Sequence, residues 1–379
     1  MIKVAIWGAG AIARTHIDAY NKQPELCKIV AVINWHTDKA EKLIRDKGLD
    51  AVACADLDEA LSKTQIDAVS ICLPPAQHAD AVCQAAENHI HALVEKPMAN
   101  SLADCDRMIK AAEKNGILLS SVCQKRFTTD AQKVHRIINE GTAGKLLYGC
   151  ANSMWWRGTQ YHDLCWRGTW EVEGGGVLTI QAIHHLDLLL YMMGMPERVT
   201  AVMSNVGHDN SQCEDVATAV LEYPDRFAQF SASQVAHGEK HEMFLYTELG
   251  RLSIPWEPAA MRAMPNGFPE NAPDNLEKLE KLYDDIPELE FSDHAGQVLN
   301  FLNAINGKEK LVVDGFEGRK VIEMITAIYE SACLRRTVEL PLQTTDPFYT
   351  SAGKTALLPH FHEKKKSVSA MAEGEITLA

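Results

Sequence analysis

The sequence predicts a two-domain α/β protein, and three observations support this fold class. Apolar strand segments and helical segments alternate through the first 122 residues, which is the β-α-β rhythm of a doubly wound parallel sheet with right-handed crossovers. Beyond residue 123, apolar and polar residues alternate with a period of two, which predicts an α+β domain with a large, open and mainly antiparallel sheet. A chain of 379 residues is also too long for one average domain and suits two domains that share a cleft.

The first predicted strand runs directly into a glycine-rich turn. Residues 4–7 are almost all apolar, as in a parallel strand buried on both faces, and a helical segment begins at Ala11. Gly8 would allow a tight turn, Gly10 would let the backbone approach a pyrophosphate, and Ala13 would let the helix pack closely on the strand. Exposed amides at the start of that helix favour an anion. This context predicts a Rossmann dinucleotide-binding domain; the alternative is a strand-turn-helix unit without a ligand.

The same patterns assign the rest of the first domain, which is expected to span residues 1–123. Its predicted strands are 4–7, 27–33, 51–53, 66–73, 92–94 and 117–122. Its predicted helices are 11–20, 37–47, 56–63, 78–87 and 101–115, the last of them with Ser101 as its cap.

The second domain is expected over residues 124–345. Its predicted strands are 145–154, 199–206, 216–223, 227–235, 241–248 and 251–254. Its predicted helices are 130–140, 180–193, 293–306 and 315–333. Residues 255–290 are rich in Pro, Glu, Asp and Asn and predict a long surface excursion. Residues 346–379 form a C-terminal tail that we expect to be flexible or to lie on a neighbouring subunit.

Asn34 ends the second predicted strand, at the position where an NAD site usually carries an acidic residue for the ribose hydroxyls. An amide can still hydrogen-bond a ribose, but it has no charge that would repel a 2′-phosphate, and His36 or Lys39 is positioned to contact one. Because no arginine follows Asn34, the pattern favours NAD slightly over NADP and leaves both open.

Composition and charge exclude several classes of protein. A net charge of −14 without a basic stripe argues against a nucleic-acid partner. The ten cysteines are scattered without zinc spacing, and many lie in apolar runs, which predicts buried thiols in a reducing compartment and no metal site. The N-terminus lacks the pattern of a secretory leader, and no apolar segment is long enough to span a bilayer. We therefore expect a cytoplasmic protein with no membrane partner.

The predicted open sheet has one face covered by helices, which leaves its other face to be covered by something else. In a chain of this size a second subunit is the usual solution. The sequence therefore predicts a homodimer or homotetramer that is joined through the C-terminal sheet.

Lys96 lies where a predicted parallel strand ends, at the carboxyl edge of the sheet, which is where open α/β sheets bind their ligands. Pro97 restricts the backbone directly after it. Because side chains alternate along a strand, Glu95 and Lys96 must point to opposite sides, so only one of them can face the cofactor cleft. The alternative is that Lys96 is a solvated loop residue.

A run of three glycines at residues 174–176 precedes a second candidate segment. On the predicted helix that follows, Gln181, His184 and Asp187 have i, i+3 spacing and share one face. An imidazole titrates near neutrality and is the usual proton acceptor for an alcohol that is being oxidised, so His184 is a candidate base. The alternative is a histidine that is satisfied in the core. His185 points elsewhere on the helix, so the adjacent pair does not predict a zinc site.

Two Trp-Arg-Gly triplets stand in an aromatic stretch that follows the first strand of the second domain. Tryptophan faces stack on sugar rings and arginine forks bind carboxylate or phosphate, so Arg157, Trp166 and Arg167 are candidates for a carbohydrate or anionic-sugar pocket. Lys125 and Arg126 add positive charge nearby. The alternative is an aromatic hinge that packs the domains together.

Together these motifs resemble those of the Gfo/Idh/MocA family, named for glucose-fructose oxidoreductase, inositol dehydrogenase and rhizopine catabolism. The likeness covers about residues 1–345 and includes the closing run 314–341. It rests on Gly8-Ala9-Gly10-Ala11-Ile12-Ala13, Pro74-Pro75 with His78, Glu95-Lys96-Pro97, and Gly174-Gly175-Gly176 followed by His184 and Asp187.

The resemblance implies an NAD(P)-dependent oxidoreductase that transfers hydride between nicotinamide and a ring hydroxyl or keto group of a sugar, sugar derivative or cyclitol. It implies that Lys96 assists the reacting hydroxyl and that His184 is the general acid/base. The Trp166-Arg167-Gly168 and Gln181 context is most similar to members that oxidise nucleotide-linked sugars. The implied cofactor-binding residues are Gly8, Gly10, Ala11, Ile12, Asn34, Trp35, His36, Leu73, Pro74, His78, Glu95, Lys96 and Gln124. The implied substrate-binding residues are Arg126, Arg157, Asp163, Trp166, Arg167, Gln181 and His184.

Ile180 departs from the family pattern, because many relatives carry Asp or Asn four residues before the histidine. Isoleucine is not expected to hydrogen-bond the substrate or Lys96. Either Asp163 or Gln181 takes that place, or the substrate lacks the partner hydroxyl.

Two other classes of function stay open at this point. The resemblance includes members that hold the dinucleotide permanently and use a transient oxidation to cleave a glycosidic bond or to eliminate, so that the net reaction is not a redox reaction. The other class is a non-catalytic dinucleotide sensor, and the presence of both Lys96 and His184 argues against it.

Overall fold

The computed structural model describes residues 1–368. The strands of its first domain are β1 (Ile2–Trp7), β2 (Cys27–Ile33), β3 (Val52–Cys54), β4 (Ala68–Ile71), β5 (His91–Val94) and β6 (Leu119–Ser121). Its helices are α1 (Ala11–Asn21), α2 (Thr37–Lys47), α3 (Leu57–Lys63), α4 (His78–Glu87) and α5 (Leu102–Asn115). The strands form one parallel sheet in the order β3-β2-β1-β4-β5-β6, which confirms the predicted doubly wound sheet. The order reverses between β1 and β4, where such sheets bind their ligands.

The second domain is built on a large mixed sheet. Its strands are β7 (Leu146–Met154), β8 (Arg198–Ser204), β9 (Val216–Glu222), β10 (Phe227–Ser233), β11 (His241–Thr247), β12 (Arg251–Ile254), β13 (Met261–Ala263), β14 (Pro269–Asn271) and β15 (Val338–Glu339). Its helices, with the tail helix last, are α6 (Thr129–Asn139), α7 (Val177–Ile180), α8 (Ile183–Met193), α9 (Pro273–Asp284), α10 (Asp293–Ile305), α11 (Gly315–Leu334) and α12 (Ser351–Leu357). The sheet order is β12-β11-β7-β10-β9-β8-β15. Only the β7–β10 pair is parallel, so the predicted, mainly antiparallel sheet is confirmed.

Helices α8 and α11 pack on one face of this second sheet. Alternate strand residues point into the core that they form, among them Leu221, Phe230 and Leu245, which are fully buried. The intervening residues face away from the helices, and Val202 and Phe227 are 69% and 53% exposed. The sheet therefore has the one helix-covered face and one open face that the alternation predicted.

The predicted helix over residues 180–193 is interrupted in the structure. Helix α7 has four residues and ends at Ile180, and α8 has eleven residues and begins at Ile183, so two helices replace one continuous element. The side chain of Lys96 from the first domain donates a hydrogen bond to the carbonyl oxygen of Ile180 at this break. The expected i, i+3 face of Gln181, His184 and Asp187 is therefore not a single helix face.

The predicted excursion over residues 255–290 contains regular structure. It holds the β13–β14 hairpin and helix α9, which packs Leu279 against the main core. Pro273 occupies the first helical position and Asp274 follows in the first turn, and both residues favour a helix start. The same prolines and acids that suggest a loop thus also mark a helix N-terminus.

The described part of the C-terminal tail packs against the rest of its own chain. Helix α12 places Lys354 in the interior, where its Nζ donates to the carbonyl oxygens of Asn100, 2.5 Å away, and of Gly174, 3.4 Å away. Residues beyond α12 continue without a helix or strand to Val368, which forms an isolated parallel bridge with Leu164. Residues 369–379 lie outside the described part of the chain.

Two further features concern the state of the cysteines and the possibility of a membrane-spanning helix. All ten cysteines are unpaired and six of them are buried, while Cys165 is exposed. Within residues 1–368, no helix has the length and apolar character that crossing a membrane requires.

Candidate active site

Lys96 and Glu95 follow β5 and point to opposite sides, as the strand alternation predicted. Lys96 Nζ reaches the second domain and donates a hydrogen bond to the backbone carbonyl oxygen of Ile180, 2.8 Å away. This corrects the expectation that Ile180 offers Lys96 no partner, because the backbone supplies the acceptor that the side chain lacks. Burial lowers the pKa of Lys96, which brings the amine closer to exchanging a proton near neutral pH.

Glu95 faces two histidines that the sequence did not suggest, the buried His16 and the partly buried His294. Its carboxylate contacts His16 Nε2 at 2.8 Å and His294 Nε2 at 3.6 Å, and it accepts the amide of Lys96 at 3.0 Å. Burial raises the pKa of Glu95, but the hydrogen bonds with His16 and His294 outweigh it and hold the pKa well below its usual range. The ligand-type atoms of these three side chains lie within 4.8 Å of one another. No motif could predict the group, because its members come from α1, the end of β5 and α10.

His184 lies in the first turn of α8 and is buried. Burial lowers its pKa well below the usual histidine value, and the nearby positive charge of Lys96 lowers it further. The imidazole is therefore neutral at pH 7, which is the form that accepts a proton. Lys96 thus contacts Ile180, four residues before His184 in the chain, and its charge contributes to the low pKa of the imidazole.

The glycine turn fits a dinucleotide. Gly8 has φ +115°, and a Cβ built on it would lie 2.3 Å from the carbonyl oxygen of Cys72, so a side chain is excluded there. At Gly10, by contrast, a Cβ would meet nothing within 4 Å, which leaves space next to the backbone. Helix α1 begins at Ala11 without a side-chain cap, so its first amides remain free to bind a phosphate.

Three predicted cofactor residues lie around this turn and at the start of the second domain. Asn34 Oδ1 accepts the amide of Ala9 at 3.2 Å, and its Nδ2 donates to the carbonyl oxygen of His36 at 2.9 Å, so Asn34 braces the glycine turn. Trp35 is 86% exposed beside it. Gln124 Oε1 is buried without a hydrogen-bond partner among the described residues. An unpaired buried acceptor of this kind fits a donor supplied by a bound cofactor.

His78 bridges two backbone segments at the edge of the sheet. Its ring nitrogens lie 2.8 Å from the carbonyl oxygen of Leu73 and 3.0 Å from that of Pro97. The ring is fully buried, whereas the neighbouring Pro74 is exposed. His78 thus ties the end of β4 to the turn after Lys96 and supports the cleft from behind.

Arg126, a predicted substrate residue, is fully occupied by carboxylates. Its Nε and Nη2 bind Asp187 at 2.7–3.0 Å, and its Nη1 binds Glu317 at 2.8 Å. Arg126 and Asp187 each expose 2% of their side chains. Each guanidinium nitrogen of Arg126 therefore contacts a carboxylate, and Arg126 and Asp187 belong to a buried clamp between α8 and α11.

Tyr161, Trp166, Arg167 and Gln181 are brought together. The guanidinium of Arg167 lies over the rings of Tyr161 and Trp166, with its Cζ 4.0 and 4.3 Å from the ring centroids. Gln181 Nε2 contacts the Tyr161 hydroxyl at 3.4 Å. Arg167 also pairs with the buried Glu173 at 2.9 Å. Neither Tyr161 nor Glu173 was singled out in the sequence, although Tyr161 stands within the aromatic stretch that pointed to this pocket.

Two other predicted substrate residues are paired elsewhere. Arg157 forms an ion pair with Glu239, and Asp163 forms one with Lys366 of the tail. The guanidinium of Arg157 also lies near the Tyr161 ring of the Arg167 cluster, with its Cζ 5.7 Å from the ring centroid.

Two family models match the chain. Residues 2–122 match the model described as the oxidoreductase family with an NAD-binding Rossmann fold. Residues 131–253 match the model of the GFO/IDH/MocA C-terminal domain. The chain belongs to the Gfo/Idh/MocA family. This confirms the resemblance that the motifs indicated. It also confirms the class of enzyme that the resemblance implies, a dinucleotide-dependent oxidoreductase.

Three proteins illustrate the likeness. A 2,7-anhydro-N-acetylneuraminate hydratase from Mediterraneibacter gnavus is 28% identical over 62% of this chain and 62% of its own, so the match spans less than two thirds of that relative. A D-glucoside 3-dehydrogenase from Escherichia coli is 24% identical over 89% of this chain and 97% of its own. The solved structure of the WlbA dehydrogenase from Chromobacterium violaceum, in complex with NADH and UDP-GlcNAcA, is 26% identical, with a TM-score of 0.77 over 90% of this chain and 96% of its own.

Substitution of the two glycines of the turn separates folding from cofactor binding. Gly10→Ala should change the free energy of unfolding by less than about 1 kcal/mol, because its Cβ meets open space, yet weaken dinucleotide binding at least about tenfold. Gly8→Ala should destabilise by at least about 2 kcal/mol through strain and overlap with Cys72. Urea unfolding and calorimetric titration with NAD measure both quantities. Unchanged cofactor affinity in Gly10→Ala would contradict the assignment.

Removal of the Arg126 guanidinium tests the clamp. Arg126→Met leaves the carboxylate of Asp187 buried without its partner, so the free energy of unfolding should fall by about 3–5 kcal/mol. The matched control is Arg136→Met, because Arg136 is exposed and pairs with Glu140 on one helix face, and its loss should stay below about 1 kcal/mol. If both variants lose equally little stability and only Arg126→Met loses substrate affinity, Arg126 belongs to the substrate site after all.

Proposed function

We propose that the protein is a dehydrogenase that moves hydride between nicotinamide and a ring hydroxyl or keto group of a sugar or sugar derivative. The observation that supports this most directly is the hydrogen bond from Lys96 Nζ, at the carboxyl edge of the first sheet, to the carbonyl oxygen of Ile180, in the segment that leads into the His184 helix. A cation and a neutral imidazole in one cleft are the groups that oxidation of an alcohol requires. The E. coli relative, named a D-glucoside 3-dehydrogenase, agrees with this reaction class.

Each catalytic group has one task in this proposal. The nicotinamide, when bound, supplies the hydride acceptor. A ring nitrogen of His184, neutral because of its burial, takes the proton of the substrate hydroxyl. The ammonium of Lys96 donates a hydrogen bond to the same oxygen while negative charge develops there. Glu95 holds the Lys96 backbone through its amide, so the side chain starts from a fixed point.

The dinucleotide would be held along the glycine turn and the adjoining strand ends. Gly10 and the first amides of α1, at Ala11 and Ile12, suit the pyrophosphate, and Asn34 suits the adenine ribose. We favour NAD over NADP, because no arginine follows Asn34 to pair with a 2′-phosphate.

The substrate would lie against the cluster of Tyr161, Trp166, Arg167 and Gln181. Aromatic faces pack well against the apolar faces of sugar rings, and a nearby guanidinium recognises an acidic or phosphorylated substituent. The similar WlbA structure contains UDP-GlcNAcA, which is a sugar of this chemical kind. We therefore propose sugars, nucleotide sugars and cyclitols as the panel in which the substrate will be found.

A second candidate function rests on a different observation. The relative from M. gnavus is named a hydratase, and a hydratase reaction involves no net redox change. The same Lys96 and His184 would serve a closed cycle in which tightly bound NAD is reduced and reoxidised within one turnover while a glycosidic bond is cleaved or water is eliminated. Absorbance of the reduced nicotinamide separates the two functions, because only a dehydrogenase accumulates it in proportion to product.

Substitution of the two catalytic groups tests the shared mechanism. Lys96→Met and His184→Asn should each lower kcat by about 10² to 10⁴ while leaving NAD affinity nearly unchanged. The controls are Lys110→Met and His89→Asn, which alter exposed residues of the first domain. Because burial lowers the pKa of His184, the acid limb of kcat/KM in the parent enzyme should lie below about 6.5, the ordinary histidine value. Full turnover in either catalytic variant would reject the mechanism.

We also propose a cytoplasmic homodimer or homotetramer that is joined through the open face of the second sheet. Val202, Val220, Phe227 and Tyr246 are exposed on that face, and the strand register places all four on one side. Burial of an apolar patch of this kind is what an isologous interface supplies. Ten unpaired thiols suit a reducing cytoplasm.

Light scattering after size-exclusion chromatography should give the mass of a dimer or tetramer at micromolar concentration. The double variant Val202→Asp, Phe227→Asp should shift the protein to monomer, because the two carboxylates would be buried at the interface without partners. Phe268→Asp on the exposed β13–β14 hairpin is the matched control and should not change the mass. A monomeric parent protein would refute the assembly.

A further inference from the structure

We infer that residues 359–368 of the tail, named here the tail strap, are a positioning element of the substrate site. They hold residues 158–170, named here the site loop, which carries Tyr161, Trp166 and Arg167. The inference rests on the proposed function for its kinetic consequence only. The physical interaction between strap and loop stands on the contacts that follow.

The strap pairs with the site loop through its backbone. The amide of Val368 donates to the carbonyl oxygen of Asp163 at 2.8 Å, and the amide of Cys165 donates to the carbonyl oxygen of Val368 at 3.0 Å. At the other end of the strap, the indole of the buried Trp170 donates to the carbonyl oxygen of Pro359 at 2.9 Å. The middle and the C-terminal end of the site loop are thus bonded to the strap.

Asn210 fastens the centre of the strap. Its Oδ1 accepts the amides of Lys365 and Lys366 at 2.7 and 2.9 Å. Its Nδ2 lies 2.9 Å from the carbonyl oxygen of Lys366 and 3.2 Å from that of His162, in the site loop. The Asn210 side chain is buried, so one amide group from a third segment joins the strap to the loop.

Two strap lysines reach the loop and one does not. Lys364 Nζ donates to the carbonyl oxygen of His162 at 2.5 Å, and Lys366 forms an ion pair with Asp163. Lys365, between them, is exposed, and within residues 1–368 its side chain makes no hydrogen bond or salt bridge. Lys364 and Lys366 therefore contact the loop, and the side chain of Lys366 still exposes 63% of its area.

The site loop depends on these contacts because it has little regular structure of its own. A single 3₁₀ turn, Thr159–Asp163, is its main internal support. Without the strap, the carbonyl of Asp163 and the amide of Cys165 lose their bonds to Val368, and the carbonyl of His162 keeps Asn210 but loses Lys364 Nζ. Tyr161 would then lose the fixed frame from which it contacts Gln181, one turn before His184.

Two truncations test the strap. A chain that ends at Leu358 lacks it, whereas a chain that ends at Val368 keeps every contact described and is the matched control. Hydrogen exchange should be about tenfold faster or more over residues 158–170 in the first and unchanged in the second. A synthetic peptide of residues 358–368 should restore protection. Equal exchange in the full chain and the shorter truncation overturns the inference, as does the same loss in both truncations.

Kinetics with a turned-over sugar adds a functional readout. The truncation at Leu358 should raise KM about tenfold or more while NAD affinity stays within about twofold, because the glycine turn does not contact the strap. Unchanged KM overturns the positioning role. If no sugar is turned over by the parent enzyme, the proposed function has failed, and the exchange experiment still decides the strap.

Point variants in the full chain test the strap even if the shorter truncation does not fold. Asn210→Ala should accelerate exchange over the site loop and raise KM, since it removes the bonds that join strap and loop. Lys366→Ala should do the same to a smaller extent, and the neighbouring Lys365→Ala should do neither. Indistinguishable behaviour of Asn210→Ala and Lys365→Ala contradicts the inference.

Discussion

The hydrogen bond from Lys96 Nζ to the carbonyl oxygen of Ile180 joins the two domains at the point where the chemistry is proposed. A bond from a charged donor is worth about 1.5–3 kcal/mol, and here its acceptor is the last residue of α7, three residues before α8 begins. His184 lies in the first turn of α8. The start of α7 is held by Glu214, whose carboxylate accepts the amides of Gly176 and Leu178. Burial raises the pKa of this carboxyl group to about 7.

Other buried polar groups act around this joint. The clamp of Arg126, Asp187 and Glu317 fixes α8 against α11, and so fixes the helix that carries His184. Lys354 of the tail spans both domains by donating to Asn100 and Gly174, and burial lowers its pKa to about 8. Buried charges of this kind add little net stability, because desolvation opposes their attraction. Their geometry is specific, however, and it sets how the first domain faces the second.

The fold and half of the site follow from local sequence patterns. The glycine turn from Gly8 and the opposite directions of Glu95 and Lys96 depend on spacing over a few residues, and the structure bears out both. The partners of Lys96 and Arg126 could not be predicted in this way. The acceptor at Ile180 is a backbone carbonyl, which no residue type announces, and Arg126 meets carboxylates that lie 61 and 191 residues away.

The partners of the tail lysines could not be predicted from local sequence patterns either. In the sequence, Lys364, Lys365 and Lys366 are a solvated charge run, because nothing local gives them partners. Once the site loop has folded, it presents unpaired backbone groups, and a neighbouring extended segment that carries cations is the complement they require. Lys364 and Lys366 then pair with the loop, and Lys365 between them stays exposed. We therefore expect the tail strap to become ordered on the folded site loop. In the proposed scheme, the strap in turn keeps the loop rigid.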